Sequence, residues 1–130
     1  MALLALAACA DSGVVAGKAY PPAVLKWRDC LDFVRHGKHE AGFESPCVSD
    51  DRTVLLGLSR DDVHALFGKA DVCKDTDDDT AWSTKPCWKA DQWWYSFYTL
   101  PEEVIGGGPE LVFDFSRDER VVNVRRFNTQ

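Results

Sequence analysis

Hydrophobic positions along this chain change period twice, and the changes divide it into elements. Behind Pro21-Pro22, Val24, Trp27, Leu31 and Val34 recur at helical spacing, with Lys26, Arg28, Asp29 and Asp32 on the other side. That pattern predicts a helix opened by the prolines and stopped at Gly37. The stretch "GKHEAGFESPCVSDDR" (37–52) has turn residues and no period, so it reads as a loop. In "LLGLSRDDVHALFGKAD" (55–71) a second, shorter helix is expected. Ser59 is a good N-cap, and Asp61 and Asp62 put negative charge where the helix dipole favours it. Val63, Leu66 and Phe67 make one apolar stripe, and Gly68 is the stop.

After this helix the period falls to two. "TAWS" (80–83) reads as a short strand and "QWWYSFYTL" (92–100) as a strong one, rich in residues that favour pleated backbone. "GGGPE" is a flexible link. "ELVFDFS" then alternates, with Leu111, Phe113 and Phe115 on one face and Glu110, Val112 and Asp114 on the other. "VVNVRRF" alternates too, Phe127 sharing a face with Asn123 and Arg125, after a charged turn at Arg117–Arg120. The fold class expected is α+β. Two N-terminal helices would pack on one face of a three- to four-stranded antiparallel meander sheet, in a single domain over residues 21–130.

The first residues obey neither period. "LLALAAC" is apolar, ends in small residues before Cys9, and is far shorter than the roughly 20 residues needed to span a bilayer. Leu6-Ala7-Ala8-Cys9 looks like the lipobox of bacterial lipoproteins, in which the cysteine becomes the acylated first residue. No Lys or Arg lies between Met1 and Leu3, so the basic part of such a signal is expected upstream. Residues 1–8 would then be a signal remnant and 9–20, small and polar, a lipidated tether.

The five cysteines fit this compartment. Setting Cys9 aside for lipid leaves Cys30, Cys47, Cys73 and Cys87, an even set that reads as two disulfides in an exported domain. Three connectivities are open, of which sequential pairing closes two short loops. A rival metal site of Cys30, His36, His39 and Cys47 matches no familiar zinc spacing. A net charge of −6 argues against nucleic acid as a partner, since a basic face supplies most of that affinity.

Gly57-Leu58-Ser59 before a short helix, Phe67-Gly68-Lys69-Ala70 at its end, Trp94-Tyr95 in the next strand, and Leu111–Phe115 followed by Val121 and Val124 form a series. Over residues 55–127 it resembles the BamE/SmpA/OmlA family of small outer-membrane lipoproteins, whose two-helix, three-strand fold is shared by the domains of β-lactamase inhibitor proteins. The resemblance implies an outer-membrane, periplasm-facing lipoprotein that assists envelope assembly. Ala10 fits, because it is not the aspartate that commonly retains such proteins in the inner membrane. Cys73 and Cys87 look like the disulfide of the inhibitor proteins, which BamE lacks. Ala70 stands where the family often has proline, and Arg117–Arg120 where it usually has an Asp-Gly turn.

Little in the chain points to catalysis. Asp75, Asp77 and Asp79 imitate the start of a calcium loop, but Thr80 and Pro86 stand where glycine and glutamate belong. Gly106-Gly107-Gly108 precedes no helix and has no lysine placed for phosphate. There is no serine elbow, and His64 is a lone histidine beside an apolar stripe. We therefore expect no enzyme and no cofactor. The aromatics are more telling: Trp82, Trp88, Trp93, Trp94, Tyr95 and Tyr98 crowd one region. Alternation sets Trp93 and Tyr95 opposite Trp94 and Tyr98, so one set is a candidate partner-binding surface. The function expected is a membrane-anchored, non-enzymatic protein-binding module. The alternative is an inhibitor or immunity protein whose aromatic sheet face blocks an enzyme or toxin.

Overall fold

Small residues at the start of the domain turn out to build structure. In the computed structural model, which describes residues 13–36, 50–75, 86–96 and 109–128, β1 (Val14–Val15) and β2 (Lys18–Ala19) form a hairpin. Its two-residue loop is Ala16-Gly17, with φ of 51° and 79°. Positive φ at both central positions is what a tight hairpin twisted like its strands requires, and glycine supplies it at no cost. Tyr20 follows and is buried. The tether expected over 9–20 is therefore corrected: residues 14–20 belong to the folded domain. The signal was present, as two valines, a two-residue turn with glycine, and a polar return.

The helix α1 spans Pro22–His36, with Pro22 in the first turn, where its missing N–H costs nothing. Val24, Leu25, Trp27, Leu31 and Val34 are buried. A 3₁₀ turn at Arg52–Leu55 follows, sharing only Arg52 with the stretch read as loop; Asp51 caps it by accepting from the Thr53 N–H, and Leu55 is fully buried. Helix α2 (Arg60–Phe67) has the expected ends. Ser59 and Asp62 form a reciprocal capping box, and Gly68, at φ 75°, closes the helix.

Four strands make the main sheet in the order β3 (Val72–Lys74), β4 (Gln92–Ser96), β5 (Pro109–Phe115) and β6 (Val121–Asn128), all antiparallel. The strand expected at 80–83 lies outside the described residues; β3 occupies Val72–Lys74, straight after α2, where no period was legible. A disulfide between Cys73 and Cys87 ties β3 to a second 3₁₀ turn, Cys87–Lys89. Cys30 is disulfide-bonded too, which removes it from any metal site.

The register sets the two faces of the sheet. Cys73, Trp93, Phe113 and Val124 align across it, as do Tyr95 and Leu111. These side chains are buried in one cluster with Val24, Leu25, Trp27 and Leu31 of α1, Leu55, and Val63, Leu66 and Phe67 of α2. The Phe67 ring lies 5.7 Å from Tyr95 and 5.4 Å from Phe113, and the Tyr95 hydroxyl donates to the Gly68 carbonyl at 2.8 Å. Each large apolar side chain so buried contributes about 1.5–3 kcal/mol. The core thus joins both helices to the alternate positions Leu111, Phe113 and Phe115.

Candidate functional site

Alternation sends Val72, Trp94, Val112 and Arg125 to the opposite face, together with Lys74, Gln92, Asp114 and Asn123. Here the side chains organise one another. Trp94 on β4 stacks on Phe127 of β6, with ring centroids 5.4 Å apart and planes 18° from parallel. Since β5 lies between those strands, the stack bridges it where Val112, fully buried, stands opposite Trp94.

Each ring of the stack has a cation beside it. Lys74 Nζ sits 4.8 Å from the Trp94 ring and the Arg125 guanidinium 5.1 Å from the Phe127 ring. The negative face of each ring attracts the cation, which also fixes the ring's orientation. Arg125 is itself held by Asp114, to which Nε and Nη2 donate at 2.7 and 2.8 Å. This forked charge-assisted pair adds geometric definition as well as energy. Beside it the Ser96 hydroxyl donates to Glu110 at 3.3 Å. Burial pushes the Glu110 carboxyl above its ordinary range, the negative charge of Asp71 adds to this, and the Ser96 bond opposes it. The outcome is a row of aromatic and charged groups, Lys74–Trp94–Phe127–Arg125–Asp114, pre-arranged across the sheet.

A second aromatic feature lies beside the disulfide. Trp88 is 67% exposed on its 3₁₀ turn, with Lys89 Nζ 4.8 Å from the ring. An apolar cleft of about 180 Å³ runs past it, between His64, Lys69 and Ala70 and the covered side of Trp93.

The expected surface residues separate accordingly. Trp93 and Tyr95 are corrected as surface residues: they are 4% and 0% exposed, packed on Phe115, Phe113 and Phe67 in the core. Their parity matches that of the buried face, which leaves no other place for such large rings. Trp94 and Trp88 are the two that reach the surface. Trp82 and Tyr98, like the lipidation candidate Cys9 and the disulfide candidate Cys47, lie outside the described residues. Of the candidate calcium loop only Asp75 is described, and it accepts from the Asp91 N–H at 3.4 Å. Phe127, Lys74, Arg125 and Asp114 were absent from the expected set. The signal for Phe127 was its shared parity with Arg125; its neighbour on β4 depended on register, which a single strand does not carry.

The N-terminal hairpin also docks on α2. Asp62 is 5% exposed and accepts from the Tyr20 hydroxyl at 2.6 Å, from Lys18 at 2.9 Å and from the Ser59 N–H at 2.9 Å. Burial alone would raise this carboxyl, but the bonds from Tyr20, Ser59 and Lys18 outweigh it and hold the group well below the usual carboxylate range. The Tyr20 hydroxyl is pushed up to about 12, chiefly by burial and then by its bond to Asp62. Asp62 is therefore a structural anchor as well as a favourable charge at a helix start. No protein-family model, curated protein or solved structure matches the chain.

Proposed function

We propose that this chain is a lipid-anchored, periplasm-facing binding module that uses the Trp94 face of its sheet to hold another protein. In this reading Cys9 carries the lipid, the outer membrane is the site, and the role is of the kind the BamE/SmpA/OmlA resemblance implies, in envelope assembly or integrity. Both helices cover the Trp93 face and leave the Trp94 face to the partner. The observation that carries it is the stacked pair Trp94–Phe127 with its flanking Lys74 and Arg125. Large rings already ordered by neighbours lose little conformational freedom on binding and are typical interface anchors. The Cys73–Cys87 disulfide supports an exported compartment.

That same disulfide favours a second reading, an inhibitor or immunity protein, because its place after the short helix is the feature that looked like the inhibitor relatives. The −6 charge would steer it to a basic enzyme. One experiment addresses both. The full chain and its Trp94→Ala and Cys9→Ser forms are expressed, fractionated and used as bait. The first reading predicts that Cys9→Ser leaves the membrane fraction and that Trp94→Ala loses a partner from the envelope machinery. A stoichiometric soluble complex with one enzyme, formed by the Cys9→Ser form, would favour the second. Unchanged fractionation of Cys9→Ser would overturn the lipid anchor, and capture untouched by Trp94→Ala would overturn the binding face.

A further inference from the structure

We propose that the cleft beside the Cys73–Cys87 disulfide binds a small aromatic carboxylate, with Trp88 covering its ring and Lys69 receiving its charge. The proposal is independent of any partner on the Trp94 face.

Three elements bring the cleft together. Helix α2 and the turn that ends it supply His64, Lys69 and Ala70, the second 3₁₀ turn supplies Cys87 and Trp88, and β4 supplies Trp93. Trp93 belongs to the buried face of the sheet and its neighbour Trp94 to the other, so the cleft lies on the helix side. The polar groups of this lining are already used: Trp93 Nε1 donates to the Cys87 carbonyl, and the Cys87 sulfur is held in the disulfide. Ala70 adds only a methyl group. The volume, about 180 Å³, sets the size of the ligand. An apolar cavity of about 150 Å³ takes up benzene, whereas drug-sized molecules occupy roughly 300–1,000 Å³. One ring fits.

Trp88 favours an apolar body. At 67% exposure it is the most exposed of the large apolar side chains among the described residues, and it borders the cleft. A ring seated there takes apolar surface of the indole out of water together with its own. Lys89 Nζ, 4.8 Å from the indole ring, helps to fix its orientation, so covering it costs little freedom.

The charge favours an anion. Of the lining residues, Lys69 and His64 are the two that can carry charge, and in both it is positive. Neither side chain has an ion-pair or hydrogen-bond partner among the described residues. Asp71, which follows Lys69 closely in the chain, is taken by Arg35 at 3.3 Å and by the Ser96 N–H at 2.8 Å. Asp61 stands one turn before His64 on α2 and offsets that histidine's charge. Lys69 is therefore the partner for the ligand, and a single cation suits a singly charged carboxylate better than a phosphate.

The test titrates the isotope-labelled, lipidated full chain in phospholipid nanodiscs with 3-phenylpropanoate. Its neutral counterpart is 3-phenylpropan-1-ol, and acetate supplies the charge without the ring. The proposal predicts saturable shifts at the Trp88 indole N–H and the Ala70 amide, none at the Trp94 indole, and a Kd of about 1 mM or tighter. The alcohol should bind about three- to fivefold more weakly, the worth of one exposed ion pair, and acetate should not saturate. Lys69→Met should abolish the difference between acid and alcohol, and Trp88→Ala should weaken both by about fivefold or more. Both substitutions are at exposed positions, and the shift pattern of the remaining residues checks the fold. Trp94→Ala should leave acid binding unchanged, which separates this site from the protein-binding face. Absence of saturation up to about 10 mM, or acid binding untouched by Trp88→Ala, would overturn the site. Equal binding of acid and alcohol to the unsubstituted chain would overturn the carboxylate. A capped peptide ending in phenylalanine with a free carboxylate, if it binds tenfold or more tightly than 3-phenylpropanoate, would overturn the small ligand in favour of a polypeptide C-terminus.

Discussion

Tyr20→Phe is a narrow test of how the N-terminal hairpin is held. The substitution keeps the buried ring and removes one hydroxyl, which donates to Asp62 at 2.6 Å. Asp62 keeps its bonds from Lys18 and Ser59, so the loss is one charge-assisted hydrogen bond to a buried carboxylate, about 1.5–3 kcal/mol. In urea this lowers the unfolding midpoint by about 1 M for a typical dependence of 1–3 kcal/mol per molar. Lys18→Met removes the other side-chain donor, but its side chain is 58% exposed, so the cost should stay below about 1 kcal/mol. The pH dependence has a definite sign. Asp62 has a lowered folded value, so its contribution is present above its ordinary 3.8 and fades as the pH falls further. The penalty of Tyr20→Phe should therefore shrink in acid. Tyr20 has a raised value, so the wild type loses stability as the pH climbs from 10 to about 12, a loss the phenylalanine form lacks at this site. Equilibrium urea unfolding at several pH values, with Asp62→Asn as the partner of a double-mutant cycle, measures all of this. A penalty below about 0.5 kcal/mol at neutral pH, or the same penalty in the Asp62→Asn background, would refute the anchor.

Two further outcomes follow from the fold. Replacing Cys73 and Cys87 together by alanine frees a loop of sequence separation 14 and should cost about 3 kcal/mol on the chain-entropy account, read as a lower unfolding midpoint. Gly68→Ala forces a side chain to adopt φ of 75° at the end of α2 and should cost about 1–2 kcal/mol, although its Cβ would meet Arg35 only at an ordinary 3.6 Å.

Where the chain's own period decides, sequence and structure coincide. Helix α1 begins at the prolines, α2 carries its capping box and glycine stop, and Leu111, Phe113 and Phe115 share the buried face. The misses have physical causes. β3 is only three residues long, too short to show alternation, and it is held by pairing with β4 and by the disulfide. The hairpin at 14–19 looked like a tether because its residues are small, although Gly17 marked the turn. Asp62 read as a helix-start charge because its partners, Tyr20 and Lys18, are distant in sequence. Of the site, the parity of Trp93 and Trp94 was legible. Which parity faces the core was not, because that depends on what covers each face. The meeting of Trp94 with Phe127 depended on register across two strand pairs.

The central claim is that the Trp94 face of the sheet meets another protein. A photo-reactive amino acid placed at position 94, at 127, and at the exposed position 33 of α1 tests it in intact cells. The account predicts one discrete cross-linked species, of the same mass from positions 94 and 127, and none from position 33. No species from either sheet position, or the same species from position 33, would contradict it.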